Sequence, residues 1–247
     1  MTKKIGFACK WIDHAGQVDG IKPKDDAKKY NTGSTTVAWL NRQSKEVAEQ
    51  KLYDLMTGNI ESVRKLVEKV GTLDENLRMV RLGSDILPVY TQQDWSWFWR
   101  LPDVRAYCER GFGAVGDLAR QSGVRLSFHP GQFTVLASDN PDIVDRSIEE
   151  FEYHVDMVRW MGYGKSFQDF KVNVHISGRR GPQGIKDVLD DLPPKQEMLS
   201  QSKTTRTHGE SKTVSNCKSI APSCLIYTIT GSVQETTFTP PTIEFCV

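Results

Sequence analysis

Arg125-Leu126-Ser127-Phe128-His129-Pro130-Gly131-Gln132-Phe133 is the stretch on which the reading of this chain turns. A short, largely apolar strand runs there into an imidazole and then at once into a turn. Pro130 has no amide hydrogen with which to extend a sheet ladder, and Gly131 permits a tight bend, so His129 is left at the carboxyl end of its strand. In a parallel α/β sheet that is the end at which ligands bind.

Working outward, Pro141 suits the first turn of a helix whose apolar face carries Ile143, Val144, Ile148, Phe151, Val155, Val158 and Met161, with Gly162 to end it. Phe170 to Ile176 is the next strand, and it too places a histidine, His175, near its carboxyl end. Ser177 to Pro182 then leads into a weaker helix reaching about Leu192. On the amino-terminal side, a helix is predicted from about Val104 to Gln121. A strand is predicted from Leu77 to Leu82, followed by Gly83-Ser84-Asp85. The residues from Ser44 to Val70 repeat apolar positions every three and four, as one amphipathic helix or a broken pair does, with Gly71 expected as its cap. Lys4 to Cys9 reads as a short buried strand, and a long polar loop follows to Gly33. The alternation makes four β/α units, which predicts an α/β fold of the TIM-type (β/α) barrel with its site on the loops after the strands.

Residues 1–197 carry this pattern. In 198–247 the pattern stops: this tail has no Asp, is rich in Ser and Thr, holds three of the 5 cysteines, and is expected to be disordered or non-native. Ile220 to Thr230 has strand propensity but no helix to pack on it.

With 247 residues and a net charge of +1, the composition is that of an ordinary globular protein, so any nucleic-acid binding has to come from a local patch. No apolar run approaches the length of a membrane span, and the start lacks the apolar region of a signal peptide, so a cytoplasmic protein is expected. The cysteines show neither a disulfide framework nor zinc spacing, and Cys9 and Cys108 are read as inert.

His129 and His175, on strands one crossover apart, would face the same ligand space and could share a metal ion, although a single histidine in such a place is more often structural. His154, on a helix, is read as a buried structural residue. Trp95, Trp97, Phe98 and Trp99 exceed what a connection needs, and either pack at the rim or meet a partner.

Three segments together, Arg81 to Pro88, Arg125 to Phe133 and Val172 to Gly178, resemble successive strand motifs of the UV damage endonuclease family of DNA repair nucleases. The resemblance runs from Ile5 to about Leu192, half to two-thirds of a family member. It implies a TIM barrel holding a divalent metal cluster, manganese or alternatively magnesium, that nicks duplex DNA 5′ to a UV photoproduct as a monomer in excision repair. His129 and His175 fall on metal ligands, Asp85 on a catalytic position beside them, and Gln132 with Phe133 on a pair that probes the duplex opposite the lesion. Phe7 and Trp11 fall on DNA-binding positions where relatives commonly carry tyrosine and asparagine, and this sequence departs from the family there. Lys10, Arg179 and Arg180 are candidate phosphate contacts.

The family's later ligand strands, one ending in Glu-Asn-Asp and one in Asp-x-x-His-His, are absent, so the metal cluster is expected to be incomplete. A slip of reading frame near Gln196 to Leu199 accounts for this. Read from the third base of the Ser202 codon, the codons for Ser202 to Gly209 permit Glu-Asn-Asp-Glu-Asn-Ala-Trp. The same phase across Leu225 to Gly231 permits Asp-Ile-His-His-His-Trp. The rival readings are another metal-dependent barrel, such as an abasic-site endonuclease or sugar isomerase, and a non-catalytic DNA-binding or inactive product.

Overall fold

The computed structural model describes residues 4–12, 25–131, 133–165, 169–175, 178–190, 227–229 and 242–246. Strands β1 (Phe7–Ala8), β2 (Met79–Leu82), β3 (Arg125–Phe128) and β4 (Lys171–His175) alternate with helices. The helices are α1 (Val37–Leu40) and α2 (Lys45–Gly71) after β1, α3 (Pro102–Gln121) after β2, α4 (Pro141–Trp160) after β3, and α5 (Gly181–Asp190) after β4. All four strands pair in parallel and in sequence order, with Met79 to Leu82 in register with Arg125 to Phe128. This is the α/β architecture expected of successive barrel units, and no helix among the described residues is long and apolar enough to cross a membrane.

Successive strand residues point to opposite faces. Val80, Leu82, Leu126, Phe128, Val172 and Val174 take one face and are all buried in the core that the helices complete. Arg81, Ser127 and Lys171 fall in the other phase and form the inner face of the sheet.

The helix ends follow local chemistry. Ser44 accepts from the amide of Val47 to start α2, and Asn140 accepts from the amide of Asp142 to start α4, with Pro141 in its first turn. The apolar repeat from Ser44 to Val70 forms one unbroken helix. Gly71 is not its left-handed cap: it is the last helical residue, and a Cβ there would come within 2.8 Å of the Ser122 side chain. Close packing against the α3–β3 turn, not chain reversal, requires glycine. Gly162, by contrast, has φ +79 and ends α4 as expected.

A further expectation changes. The strand predicted at Lys4 to Cys9 shrinks to Phe7–Ala8 and is not buried, with Ile5 69% exposed. Among the described strands β1 pairs only with β2. Within 198–247 the described residues are β5 (Tyr227–Ile229) and β6 (Thr242–Cys246). β6 pairs antiparallel with β4, and β5 with β6.

Glycine at two neighbouring positions of α3 separates packing from propensity. A Cβ at Gly116 would lie 1.9 Å from the carbonyl oxygen of Met161, whereas at Gly113 the nearest atom is 3.6 Å away. Gly116→Ala should destabilise the chain by about 3 kcal/mol in chemical denaturation, as overpacking does. Gly113→Ala should stabilise it by up to about 1 kcal/mol through helix propensity.

Candidate functional site at the carboxyl ends of the strands

His129 follows β3 and is half-buried, with its Nδ1 2.7 Å from the backbone oxygen of Asn173 on β4. A carbonyl can only accept, so Nδ1 carries the proton, and in the neutral ring the lone pair stands on Nε2. A backbone carbonyl behind one ring nitrogen is the support that orients a metal-ligating imidazole. His175 ends β4, two residues beyond Asn173 and therefore on the same face of the strand. Its side chain, and all of Gln132, lie outside the described residues. Among the described residues no three His, Cys, Asp or Glu side chains gather as a metal site. His129 thus has the support that one ligand position needs, and the described residues do not include a complete donor set for a cluster.

Asp85 is exposed in the turn after β2, and that turn is held from below by α4. The Tyr153 hydroxyl accepts from the Leu87 amide and donates to the Ser84 carbonyl, both at 2.9 Å. One residue on, fully buried His154 donates from Nδ1 to the Glu150 carbonyl at 2.7 Å, which leaves Nε2 to accept from the Ser84 hydroxyl at 3.0 Å. Its ring also meets Phe128 edge-on, with centroids 5.3 Å apart. One neutral imidazole therefore contacts the residue before Asp85 and the residue before His129. The sequence reading of His154 as buried and structural holds, but it gave no sign of these partners. Ser84, Glu150 and Tyr153 were not singled out either, because hydrogen bonds between a loop and a distant helix leave no spacing signal.

Burial lowers the His154 pKa from 6.5 to about 4. Burial, and secondarily the charge of Asp85, raises that of Glu150, while a bond from the Thr91 hydroxyl opposes the rise.

Phe133 is 84% exposed and so lies outside the core. Phe7 and Trp11 pack on each other at 5.3 Å, and Asn31 clamps the Trp11 backbone through both its amide and its carbonyl. Lys10 and Arg179 are exposed. Trp95, Phe98 and Trp99 are buried, so of the two readings of the aromatic cluster packing is the one the structure adopts. Cys108 is buried, and its thiol is pushed up to about 12. Cys9 is exposed with φ 65 and Val89 has φ 55. These non-glycine residues in left-handed geometry lie in the loops that follow β1 and β2, on the face that carries His129, where backbone strain commonly marks a working site.

Residues 6–217 match the family model described as UV-endonuclease UvdE, reaching past Leu192. A UV DNA damage endonuclease of Bacillus pumilus is 29% identical over 60% of this chain and 43% of its own length. One from Bacillus velezensis is 26% identical over 74% of this chain and 56% of its own length. The chain thus spans about half the length of these curated relatives. The crystal structure of SacUVDE superposes with a TM-score of 0.57 at 18% identity, covering 77% of this chain and 57% of that one.

The His154 shift sets a sign for acid stability. Its folded pKa, about 4, lies below the unfolded 6.5, so the unfolded chain binds the proton first and stability falls as pH drops from 6.5 towards 4. The loss from this group should reach about 3 kcal/mol. Glu150, shifted up, acts in the opposite sense and offsets part of it. His154→Gln should flatten the decline between those pH values in denaturant titrations, and an unchanged slope would assign it to other groups.

Proposed function

The chain belongs to the UV-endonuclease UvdE family, and from that premise we propose that it represents the amino-terminal part of a DNA repair endonuclease that nicks duplex DNA 5′ to UV photoproducts. The observation that carries this is the placement of His129, oriented by the Asn173 carbonyl at the carboxyl end of β3, with exposed Phe133 just beyond the same turn. His129 and His175 would each ligate a divalent ion, manganese or magnesium, which when bound activates water and stabilises the leaving oxygen. The chain's own residues supply the rest. Asp85 offers a carboxylate held in place by Tyr153. Phe133, with Gln132 beside it, can enter a duplex at a poorly stacked photodimer, where unstacking costs least. Lys10, Trp11 and Arg179 offer backbone contacts around it, and Phe7 supports Trp11.

Two imidazoles do not hold a cluster that also needs carboxylates. We therefore take residues 1–197 as the native part and the segment after it as frame-slipped, so that this form is inactive or nearly so. The rival, a non-catalytic product that still binds DNA, shares the exposed wedge and differs only in cutting.

UV-irradiated supercoiled DNA incubated with manganese decides between these readings. The chain as given should nick at background rate, and a version with the reading frame restored after Lys195 should nick irradiated DNA. His129→Ala in that version should lower the rate at least about a hundredfold, as loss of an oriented ligand does. Failure of the restored version to nick irradiated DNA would refute the assignment.

A further inference from the structure

Asn59 stands in the middle of α2 beside Met56, Ile60 and Val63, and like them it is buried, only 3% exposed. A polar side chain in that place costs stability unless its groups are paired. Its Oδ1 accepts from the Gly33 amide at 2.7 Å, and its Nδ2 donates to the carbonyls of Gly33 and Ile86, both at 2.8 Å. An amide supplies that one acceptor and those two donors on a short stem. Gly33 lies between β1 and α1, just after the Asn31 that clamps Trp11, and Ile86 follows Asp85 in the turn after β2. One buried side chain thus joins the backbones that follow two adjacent strands. For α2 alone leucine would serve better, with nearly the same shape, a higher helix propensity and more apolar surface to bury. What leucine lacks is any grip on those backbone groups.

From the opposite side α4 holds the same turn, with Tyr153 on the Ser84 carbonyl and the Leu87 amide, and His154 on the Ser84 hydroxyl. Ile86 and Leu87 are buried, and Asp85 is the exposed residue between Ser84 and Leu87. The backbone is therefore tied both before and after the one carboxylate that the turn presents. We propose that Asn59 is a positioning residue for Asp85, acting through the Ile86 carbonyl to fix where that carboxylate stands and to tie it to the loop after β1. This rests on the catalytic place given above to Asp85. A preorganised carboxylate needs its supporting backbone held from more than one direction, and Asn59 supplies the direction that α4 does not.

NMR of the full-length chain tests this. In the wild type the Asn59 Nδ2 hydrogens should exchange with solvent as slowly as the backbone amides of the α2 core, and the Asp85 carboxyl carbon should give one sharp signal. Asn59→Leu keeps the shape and removes all three hydrogen bonds. It should speed exchange of the Leu87 amide about tenfold, the factor expected for one hydrogen bond, and should shift and broaden the Asp85 carboxyl signal. Val63→Ala, on the same buried face of α2, is the control for lost stability: it should speed exchange of core amides generally and leave the Asp85 signal in place. The proposal is overturned if the wild-type Asn59 hydrogens exchange freely, a result that needs no variant to fold. It is also overturned if Asn59→Leu leaves the Leu87 amide and the Asp85 signal unchanged, or if Val63→Ala moves that signal as much. None of these signals depends on cutting, so a failure here is distinct from a failure of the nicking assay.

Discussion

The register of β2, β3 and β4 is the constraint on which the rest depends. With one face packed against helices through Val80, Leu126, Phe128 and Val172, a slip of one residue would turn Arg81, Ser127 and Lys171 into that apolar core. The cost of burying those groups without partners fixes the pairing. Once it is fixed, His129 must emerge at the carboxyl end beside Asn173, and His175 two residues further along the neighbouring strand. The location of the site is therefore a consequence of which face the helices cover.

Helix α4 adds the second level of control. It starts just after the His129 turn and runs back beneath the loop that follows β2, so adjacent residues on it reach both that loop and the end of β3. Tyr153 closes two backbone groups of that loop, and His154 spans from Ser84 to Phe128. Held in apolar surroundings, the imidazole stays neutral and accepts where a charged ring could not. That gives the two loops a common, rigid support while their tips stay exposed at Asp85 and Phe133.

Much of this was legible from residue order. Short apolar runs ending in a turn located β2, β3 and β4, and apolar repeats located α2 and α4, because burial of one face writes itself directly into the sequence. Two errors came from context that no local window contains. Lys4 to Cys9 has the composition of a buried strand, but burial requires neighbours on both sides. Gly71 sits where a cap would, but its reason is the approach of Ser122, 51 positions away in sequence and adjacent in space. The inner polar row was visible in principle, since Val172-Asn173-Val174-His175 alternates cleanly.

A chain spanning about half of its curated relatives holds the strand ends at which His129 and His175 stand in the sequence, and among the described strands β1 pairs on one side only. We propose that His129 and His175 face one shared ion. Paramagnetic broadening of imidazole NMR signals by substoichiometric Mn2+ tests it most directly. The signals of His129 and His175 should broaden together at the same metal concentration while that of His154 stays sharper. Broadening of only one of the pair, or of neither while surface carboxylates respond, would contradict the account.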